Sequence, residues 1–172
     1  MLIILDRDGV INHESEEYIK SPDEWIPIEG SLEAIARLKK AGHIVVIATN
    51  QSGVGRGYYS IATLEKIHAK MQQWLADLGG HIDKIYFCPH APRDGCNCRK
   101  PRPGMLFAIA KDFPDEYQNA IFIGDSLRDV QAAQAVNIEP MLVRTGYGDS
   151  AAGVALYDDL AAAVDHLLKS QH

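Results

Sequence analysis

The sequence contains no apolar run that approaches the ~20 residues of a membrane-spanning helix. It shows no basic leader segment or signal-peptide cleavage site, and Asp6 interrupts the first apolar stretch. Positive charge is also scarce, since 17 Lys and Arg residues against 23 Asp and Glu residues give a net charge of −6. These absences argue against a membrane protein and against a nucleic-acid-binding protein that depends on backbone electrostatics. The cytoplasm is the expected location.

Cysteine is scarce as well, with only Cys88, Cys96 and Cys98 in the chain. An odd number of cysteines in a chain without a secretion signal does not predict disulfides. The three residues lie close together with His90 among them, which offers three thiolates and one imidazole to a tetrahedral zinc ion. Because four protein ligands leave no position for water, segment 88–98 is predicted to be a structural zinc loop. The alternative is three thiols placed by chance.

The rest of the composition is typical of a globular domain, with 172 residues of which 47% are hydrophobic and 23% charged. Short apolar runs alternate with segments of helical periodicity, which predicts an α/β fold with a mainly parallel sheet of five or six strands. The predicted strands are Leu2–Leu5, Ile44–Ala48, Ile82–Phe87, Ala120–Gly124 and Met141–Val143. Two helices are predicted to begin with Ser31 and Ser60 as their N-caps, and the last helix with Asp158 or Asp159 as its cap. The other two predicted helices begin at about Pro103 and after Asp125. We therefore expect one domain, residues 1–172, with helices on both faces of the sheet.

Two connecting segments are predicted to be loops near the edge of the sheet where ligands bind in open α/β folds. The polar segment 13–30 has no clean periodicity, and Tyr18 and Trp25 are expected to hold it against the body of the protein. The segment 49–57 contains three glycines, whose backbone can approach a ligand closely. The side chains of His43 and His68 are expected to be solvated or packed rather than catalytic.

Polar residues follow the predicted strands, at the sheet edge where ligands bind in open α/β folds. They are Asp6 and Asp8 after the first strand, Thr49 and Asn50 after the second, Arg99 and Lys100 after the cysteine segment, and Asp125 after the fourth. Three acids without a positive partner would repel one another, which predicts a bound cation, and oxygen ligands favour Mg²⁺. A lysine and a hydroxyl beside magnesium suit a phosphate, which a carboxylate can attack while a second acid transfers the proton. The alternative is a surface turn with two solvated acids.

Four motifs resemble those of the haloacid dehalogenase (HAD) superfamily of phosphatases: Asp6-x-Asp8-Gly9-Val10, Thr49-Asn50, Lys100 and Gly124-Asp125. The resemblance extends from Leu2 to about Tyr147. It implies a three-layer Rossmann-like fold without a sizeable cap domain. Longer matches resemble the family of D-glycero-D-manno-heptose 1,7-bisphosphate 7-phosphatases, in segments 6–12, 49–53, 56–57, 88–90 and 96–105.

The resemblance implies a role for each residue that matches a motif. Asp6 would be the nucleophile and Asp8 the general acid and base. Mg²⁺ would be held by Asp6, the backbone carbonyl of Asp8, and Asp125. Thr49 and Lys100 would stabilise the transferring phosphoryl group.

The resemblance also implies a set of residues that contact the substrate. Arg99 would contribute to its recognition, and the site would be lined by Asn50, Gln51 and Ser52. Ser126 stands where some relatives carry a basic residue, so one phosphate contact is expected to be either missing or supplied by Arg128.

The implied function is Mg²⁺-dependent removal of the C7 phosphate from heptose 1,7-bisphosphate, in the synthesis of nucleotide-activated heptose for lipopolysaccharide core or glycoproteins. The expected partner is a small phosphorylated sugar, without nucleic acid or membrane, and the expected state is a monomer. Histidinol-phosphate phosphatase, a related enzyme with a similar zinc loop, is the nearest alternative. A zinc-loop module that binds nucleic acid or protein without catalysis is a further alternative, and the net charge of −6 argues against it.

Overall fold

The structure, a computed structural model, describes residues 1–170, which form a parallel six-stranded sheet between two layers of helices. The strands are β1 (Leu2–Leu5), β2 (Ile44–Asn50), β3 (Lys84–Cys88), β4 (Ile121–Gly124), β5 (Glu139–Val143) and β6 (Ala155–Tyr157). The helices are α1 (Ser31–Lys40), α2 (Ser52–Gly55), α3 (Ile61–Asp77), α4 (Gly104–Asp112), α5 (Leu127–Ala135) and α6 (Leu160–Lys169). The strand order is β3-β2-β1-β4-β5-β6, so β1 lies inside the sheet between β2 and β4. The predicted parallel α/β architecture is confirmed.

β1 is buried on both faces because its alternating side chains enter two different hydrophobic clusters. Ile3 and Leu5 pack with residues of α1, α3 and α6, whereas Leu2 and Ile4 pack with residues of α4 and α5. A strand covered on both faces needs apolar side chains at every position, which is the continuous pattern of this segment. The first polar residue, Asp6, therefore marks the point where the chain leaves the core.

Some boundaries differ from the prediction. β2 continues through Thr49 and Asn50, which pair with Phe87 and Cys88 of β3. Part of the glycine segment predicted as a loop is the helical turn α2. β6 was not predicted, because a three-residue strand without a fully buried side chain has little periodic signal.

One helix cap differs from the prediction. Ser31 was predicted to be the N-cap of α1, but Gly30 occupies that position with φ of 84°. The Ser31 hydroxyl instead donates to the carbonyl of Val10 at 2.9 Å, which connects α1 to the turn after β1. Ser60 is the N-cap of α3 as predicted, and Asp159, one of the two predicted candidates, is the N-cap of α6.

Segment 13–30 is anchored by a buried tryptophan, as predicted. Trp25 is fully buried and meets the edge of Trp74, with ring centroids 5.8 Å apart. Lys70 of α3 donates to the carbonyls of Pro22 and Trp25 at 2.7 and 3.1 Å. Its ammonium also lies 4.9 Å from the Trp74 ring centre. Together these contacts hold the segment beside the edge of the sheet.

Among the helices of residues 1–170, none combines the length and the apolar character needed to cross a membrane.

Replacing Trp25 with Ala is expected to lower the free energy of unfolding by about 3–5 kcal/mol, because it leaves a cavity in the core. Phe107→Ala is the matched control, since Phe107 is 59% exposed and belongs to α4, on the opposite face of the sheet. Its loss should be about 1 kcal/mol or less. Urea unfolding followed by circular dichroism measures both variants, and equal losses would contradict the anchoring role of Trp25.

Candidate active site

The carboxyl ends of the central strands form a polar cavity of about 200 Å³. The strand register sets Leu5 beside both Ile47 and Ile123, so the residues that follow β1, β2 and β4 meet at one edge. The predicted site residues that line the cavity are Asp6, Asp8, Asn50, Gln51, Ser52, Arg99, Lys100 and Asp125. Asp6 and Asp8 are therefore not the solvated pair of a surface turn.

The turn after β1 is closed around the carbonyl of Arg7. This oxygen accepts hydrogen bonds from the backbone N–H groups of residues 10, 11 and 12 at 3.2, 2.8 and 3.2 Å. Gly9 has φ of 82°, a conformation that L side chains rarely adopt. A Cβ at Gly9 would also collide with the carboxylate of Asp125. The glycine thus allows the turn and leaves space for a site residue.

Lys100 is the buried cation of the site. Its Nζ lies 2.6 Å from Oδ1 of Asp129 and 3.1 Å from Oδ1 of Asp6, and it donates to the carbonyl of Ala48 at 3.0 Å. Burial alone would lower the pKa of Lys100, but the attraction of Asp129 and Asp6 outweighs it and raises that pKa. The sequence argument that the acids have no positive partner is therefore wrong.

Asp129 is a site residue that the sequence analysis missed. Its Oδ2 accepts hydrogen bonds from the backbone N–H groups of Asp125 and Ser126 at 3.1 and 3.3 Å, while Oδ1 faces Lys100. The available signal was the capping-box spacing Ser126-x-x-Asp129 at the start of α5. In a capping box of this spacing, the carboxylate of Asp129 reaches back to the N-terminus of α5, next to Asp125.

The carboxylates of Asp6, Asp125 and Asp129 form a cluster whose oxygens lie within 4.8 Å of one another. Burial, followed by the charge of Asp129, raises the pKa of Asp125 to about 7. Burial also raises the pKa of Asp6, although the attraction of Lys100 opposes the shift. A divalent cation would relieve the repulsion, and carboxylate oxygens are ligands that Mg²⁺ prefers. The cluster therefore fits a magnesium site.

The carboxylate of Asp8 has different neighbours. Its Oδ1 accepts from Nε and Nη2 of Arg7 at 3.0 and 2.7 Å and from Asn12 at 2.9 Å, and its Oδ2 accepts from Gln51 at 2.9 Å. Burial would raise the pKa of Asp8, but the charge of Arg7 and these hydrogen bonds outweigh it and lower the pKa. Asp6 and Asp8 thus have pKa values shifted in opposite directions, so the two carboxyl groups lie in different electrostatic environments although they are two residues apart.

The polar residues at the end of β2 hold other site residues in position. Asn50 accepts from the backbone N–H of Lys100 at 3.0 Å and donates to its carbonyl at 3.2 Å. Gln51 donates to Asp8 at 2.9 Å and to the hydroxyl of Thr49 at 3.0 Å. Thr49 is fully buried and is not part of the cavity lining. Its predicted contact with phosphate stays a prediction.

Three arginines also line the cavity: Arg56, Arg99 and Arg128. They offer guanidinium groups to an anionic ligand. The guanidinium of Arg128 lies 5.4 Å from the ring centre of Tyr147, whose backbone N–H donates to Asp125 at 3.1 Å. Arg128 is therefore close to the acid cluster, and its contact with a phosphate stays a prediction.

The three cysteines meet beyond the end of β3. Sγ of Cys88 lies 3.5 Å from Sγ of Cys96 and 2.7 Å from Sγ of Cys98. Burial, followed by the hydrogen bond with Cys98, raises the pKa of the Cys88 thiol, so adjacent thiolates there would need a cation. These thiols fit part of the predicted zinc site. His90 is exposed and does not join the group, so its role as the fourth ligand stays a prediction.

The carboxylate cluster fits Mg²⁺, and the buried lysine beside it provides positive charge for a phosphate. This site at the central strand ends of a parallel sheet is suited to an α/β enzyme that hydrolyses phosphate esters. The family model of haloacid dehalogenase-like hydrolases matches residues 2–137, most of the chain. The protein therefore belongs to the haloacid dehalogenase-like hydrolases, as its motifs predicted.

Three similar proteins share one activity in their names. The chain is 51% identical over 174 residues to the D-glycero-beta-D-manno-heptose-1,7-bisphosphate 7-phosphatase of Pseudomonas aeruginosa, with 98% of both chains covered. A crystal structure of D,D-heptose 1.7-bisphosphate phosphatase from B. bronchiseptica, complexed with magnesium and phosphate, has a TM-score of 0.94, 50% identity and 98% coverage of both chains. The same enzyme from Burkholderia thailandensis has a TM-score of 0.74, 42% identity and 97% coverage of both chains.

Asn50→Ala is expected to lower kcat for hydrolysis of 4-nitrophenyl phosphate with Mg²⁺ by ~10²-fold, because Lys100 loses both backbone contacts and shifts in the site. Asn119→Ala is the matched control, since Asn119 is exposed and precedes the amino end of β4, whereas the site lies at the carboxyl ends of the strands. Steady-state kinetics beside circular dichroism checks the effect. Wild-type kcat in Asn50→Ala would show that the amide does not position Lys100.

Proposed function

We propose that the chain is a Mg²⁺-dependent phosphatase that removes the C7 phosphate of D-glycero-D-manno-heptose 1,7-bisphosphate through an aspartyl-phosphate on Asp6. The observation that carries the proposal is the position of Asp6, 3.1 Å from the buried ammonium of Lys100 and within 4.8 Å of Asp125 and Asp129. The substrate is the one in the names of relatives that are 50–51% identical over nearly the whole chain.

In the first step, the Asp6 carboxylate attacks phosphorus and the bond between phosphorus and the sugar C7 oxygen breaks. Asp8 gives its proton to the leaving alkoxide. In the second step, Asp8 takes a proton from water, which attacks phosphorus and releases inorganic phosphate from Asp6. Lys100 balances charge on the phosphoryl group throughout. Bound Mg²⁺ would neutralise the phosphoryl oxygens, and Asp6, the carbonyl of Asp8, and Asp125 are proposed to hold it.

The two roles of Asp8 require its pKa to change during turnover. In the free site, Arg7 and the hydrogen bonds keep that pKa low, so the carboxylate is ionised. A bound phosphate brings negative charge close to Asp8, which favours the protonated form. Asp8 is then an acid with substrate bound, and it returns to the ionised form suited to a base once the alkoxide has taken the proton.

The arginines of the cavity support a bisphosphate over the alternatives. Lys100 is paired with Asp6 and Asp129, whereas Arg56, Arg99 and Arg128 line the cavity as further cations available to a second phosphate. Histidinol phosphate carries a single phosphate and has no second anionic group for these arginines. Membership of a hydrolase family also argues against a zinc-loop module without catalysis. A single domain, a monomeric state and a cytoplasmic location stay predictions from the sequence.

The decisive experiment compares kcat/KM for D-glycero-D-manno-heptose 1,7-bisphosphate with that for histidinol phosphate. We expect strong preference for the heptose, dependence on Mg²⁺, and release of the C7 phosphate alone. Asp6→Asn is the matched control, which should fold normally and show no turnover because it lacks the nucleophile. Preference for histidinol phosphate, or turnover by Asp6→Asn, would overturn the proposal.

A structural zinc ion on the cysteine loop is the second part of the proposal. The backbone N–H of Arg99 hydrogen-bonds to Cys96, so a metal on the thiolates would fix the segment that leads to Lys100. The sheet has its own core and should stay folded without zinc, unlike a zinc finger.

Cys98→Ser is expected to lose zinc and to lower kcat/KM by ~10²-fold through misplaced cations, with near-native circular dichroism. His90→Ala should also lose zinc if the imidazole is the fourth ligand, whereas the exposed His81→Ala should retain it. Metal content by mass spectrometry beside kinetics measures the three variants. Full activity in a zinc-free Cys98→Ser enzyme would refute the role of the metal.

A further inference from the structure

Arg7 is a fully buried arginine that the proposed mechanism uses only as a positive charge beside Asp8. Its Nε and Nη2 both donate to Oδ1 of Asp8, at 3.0 and 2.7 Å. Its Nη1 lies 3.2 Å from Nε2 of His68 on α3. Because a guanidinium does not lose its proton in proteins, a buried arginine requires such partners.

His68 is the acceptor in its contact with Arg7. A guanidinium has only donors, so Nε2 of His68 must be unprotonated in this hydrogen bond. Burial, followed by the charge of Arg7, lowers the pKa of His68 to about 3, which agrees with a neutral ring. His68 is thus packed in the core as expected, and its ring also accepts a hydrogen bond that orients the guanidinium of Arg7.

The two carboxylate oxygens of Asp8 accept different numbers of hydrogen bonds. Oδ1 accepts three hydrogen bonds, two from Arg7 and one from Asn12. Oδ2 accepts one, from Gln51, and the side chain of Asp8 is 19% exposed at the cavity. The oxygen with an unused lone pair is therefore Oδ2, and it is the atom able to carry a proton.

We propose that Arg7 and His68 are positioning residues, which hold the Asp8 carboxylate so that Oδ2 exchanges the proton with the C7 oxygen. The inference rests on the proposed function, because it assumes that Asp8 transfers this proton. Neither Arg7 nor His68 lines the cavity. Any effect of His68 on proton transfer must therefore pass through Arg7 and Asp8.

The first test uses two leaving groups. A sugar alkoxide needs a proton from Asp8, whereas 4-nitrophenolate leaves without one. The comparison uses kcat/KM, which reports the steps up to formation of the aspartyl-phosphate and excludes the water step common to both substrates. His68→Leu should lower kcat/KM for the heptose bisphosphate by ~10²-fold and change kcat/KM for 4-nitrophenyl phosphate little. His68→Gln keeps an acceptor near Nε2 and should recover most of the activity on the sugar. Equal losses on both substrates would indicate a merely structural role and overturn the inference.

The second test is a double-mutant cycle on the sugar substrate. Arg7→Met should reduce kcat strongly in the wild-type background but add little to Asp8→Asn, because the group it positions is already inactive. Independent, multiplying losses would refute the inference. His68→Leu takes the place of Arg7→Met in the cycle if that variant does not fold. Arg37→Met, which removes a surface ion pair with Asp165, is the control and should retain wild-type kcat.

The two tests separate this inference from the proposed function. A wild-type enzyme that hydrolyses neither substrate with Mg²⁺ would overturn both. A wild-type enzyme active on both, with His68→Leu and His68→Gln equally impaired on each substrate, would overturn the positioning role alone. The supporting result is selective loss on the sugar in His68→Leu, recovery in His68→Gln, and no added loss in the Asp8→Asn background.

Discussion

The buried ammonium of Lys100 is the interaction on which the rest of the site depends. With 3% of its side chain exposed, it requires negative partners, and Asp6 of the segment after β1 and Asp129 of α5 supply them. Leaving one member of such a buried pair without its partner costs about 3–5 kcal/mol, so sheet and site are stabilised together. The carbonyl of Ala48 adds a contact from β2. Three segments distant in the sequence are thus joined at one charged atom.

At the same sheet edge, two aspartates that are two residues apart in the chain have different neighbours. Asp6 faces other carboxylates and Lys100, whereas Asp8 faces Arg7, Asn12 and Gln51. Burial acts on both acids, but the neighbouring charges differ, and this difference sets the opposite directions of their pKa shifts. The two aspartates, which the proposed mechanism uses as nucleophile and proton carrier, therefore lie in different electrostatic environments although they are close in the chain.

The cationic side of the site relies on loops that are held by contacts other than hydrophobic packing. The side chain of Asn50 is hydrogen-bonded to both the backbone N–H and the carbonyl of Lys100. The cysteine cluster ends at Cys98, two residues before Lys100. The backbone N–H groups of Gln51 and Gly55 donate to the carbonyls of Cys88 and Pro89 at 2.8 and 2.7 Å, which joins the two loops. Such cross-links restrict the motion of groups that must meet a phosphate in a fixed geometry.

The sequence alone determined the order of five strands and five helices, without α2 and β6, the position of Asp6 at the end of a doubly buried strand, and the cap at Ser60. These features depend on periodicity and on contacts between near neighbours, which a linear pattern records. Only the tertiary structure decided that Lys100 pairs with Asp129, that Arg7 turns to Asp8 and His68, and that Thr49 lies below the cavity. The physical reason is that a buried charge takes its partner from whichever element packs beside it, and elements far apart in the chain become neighbours only in the folded sheet.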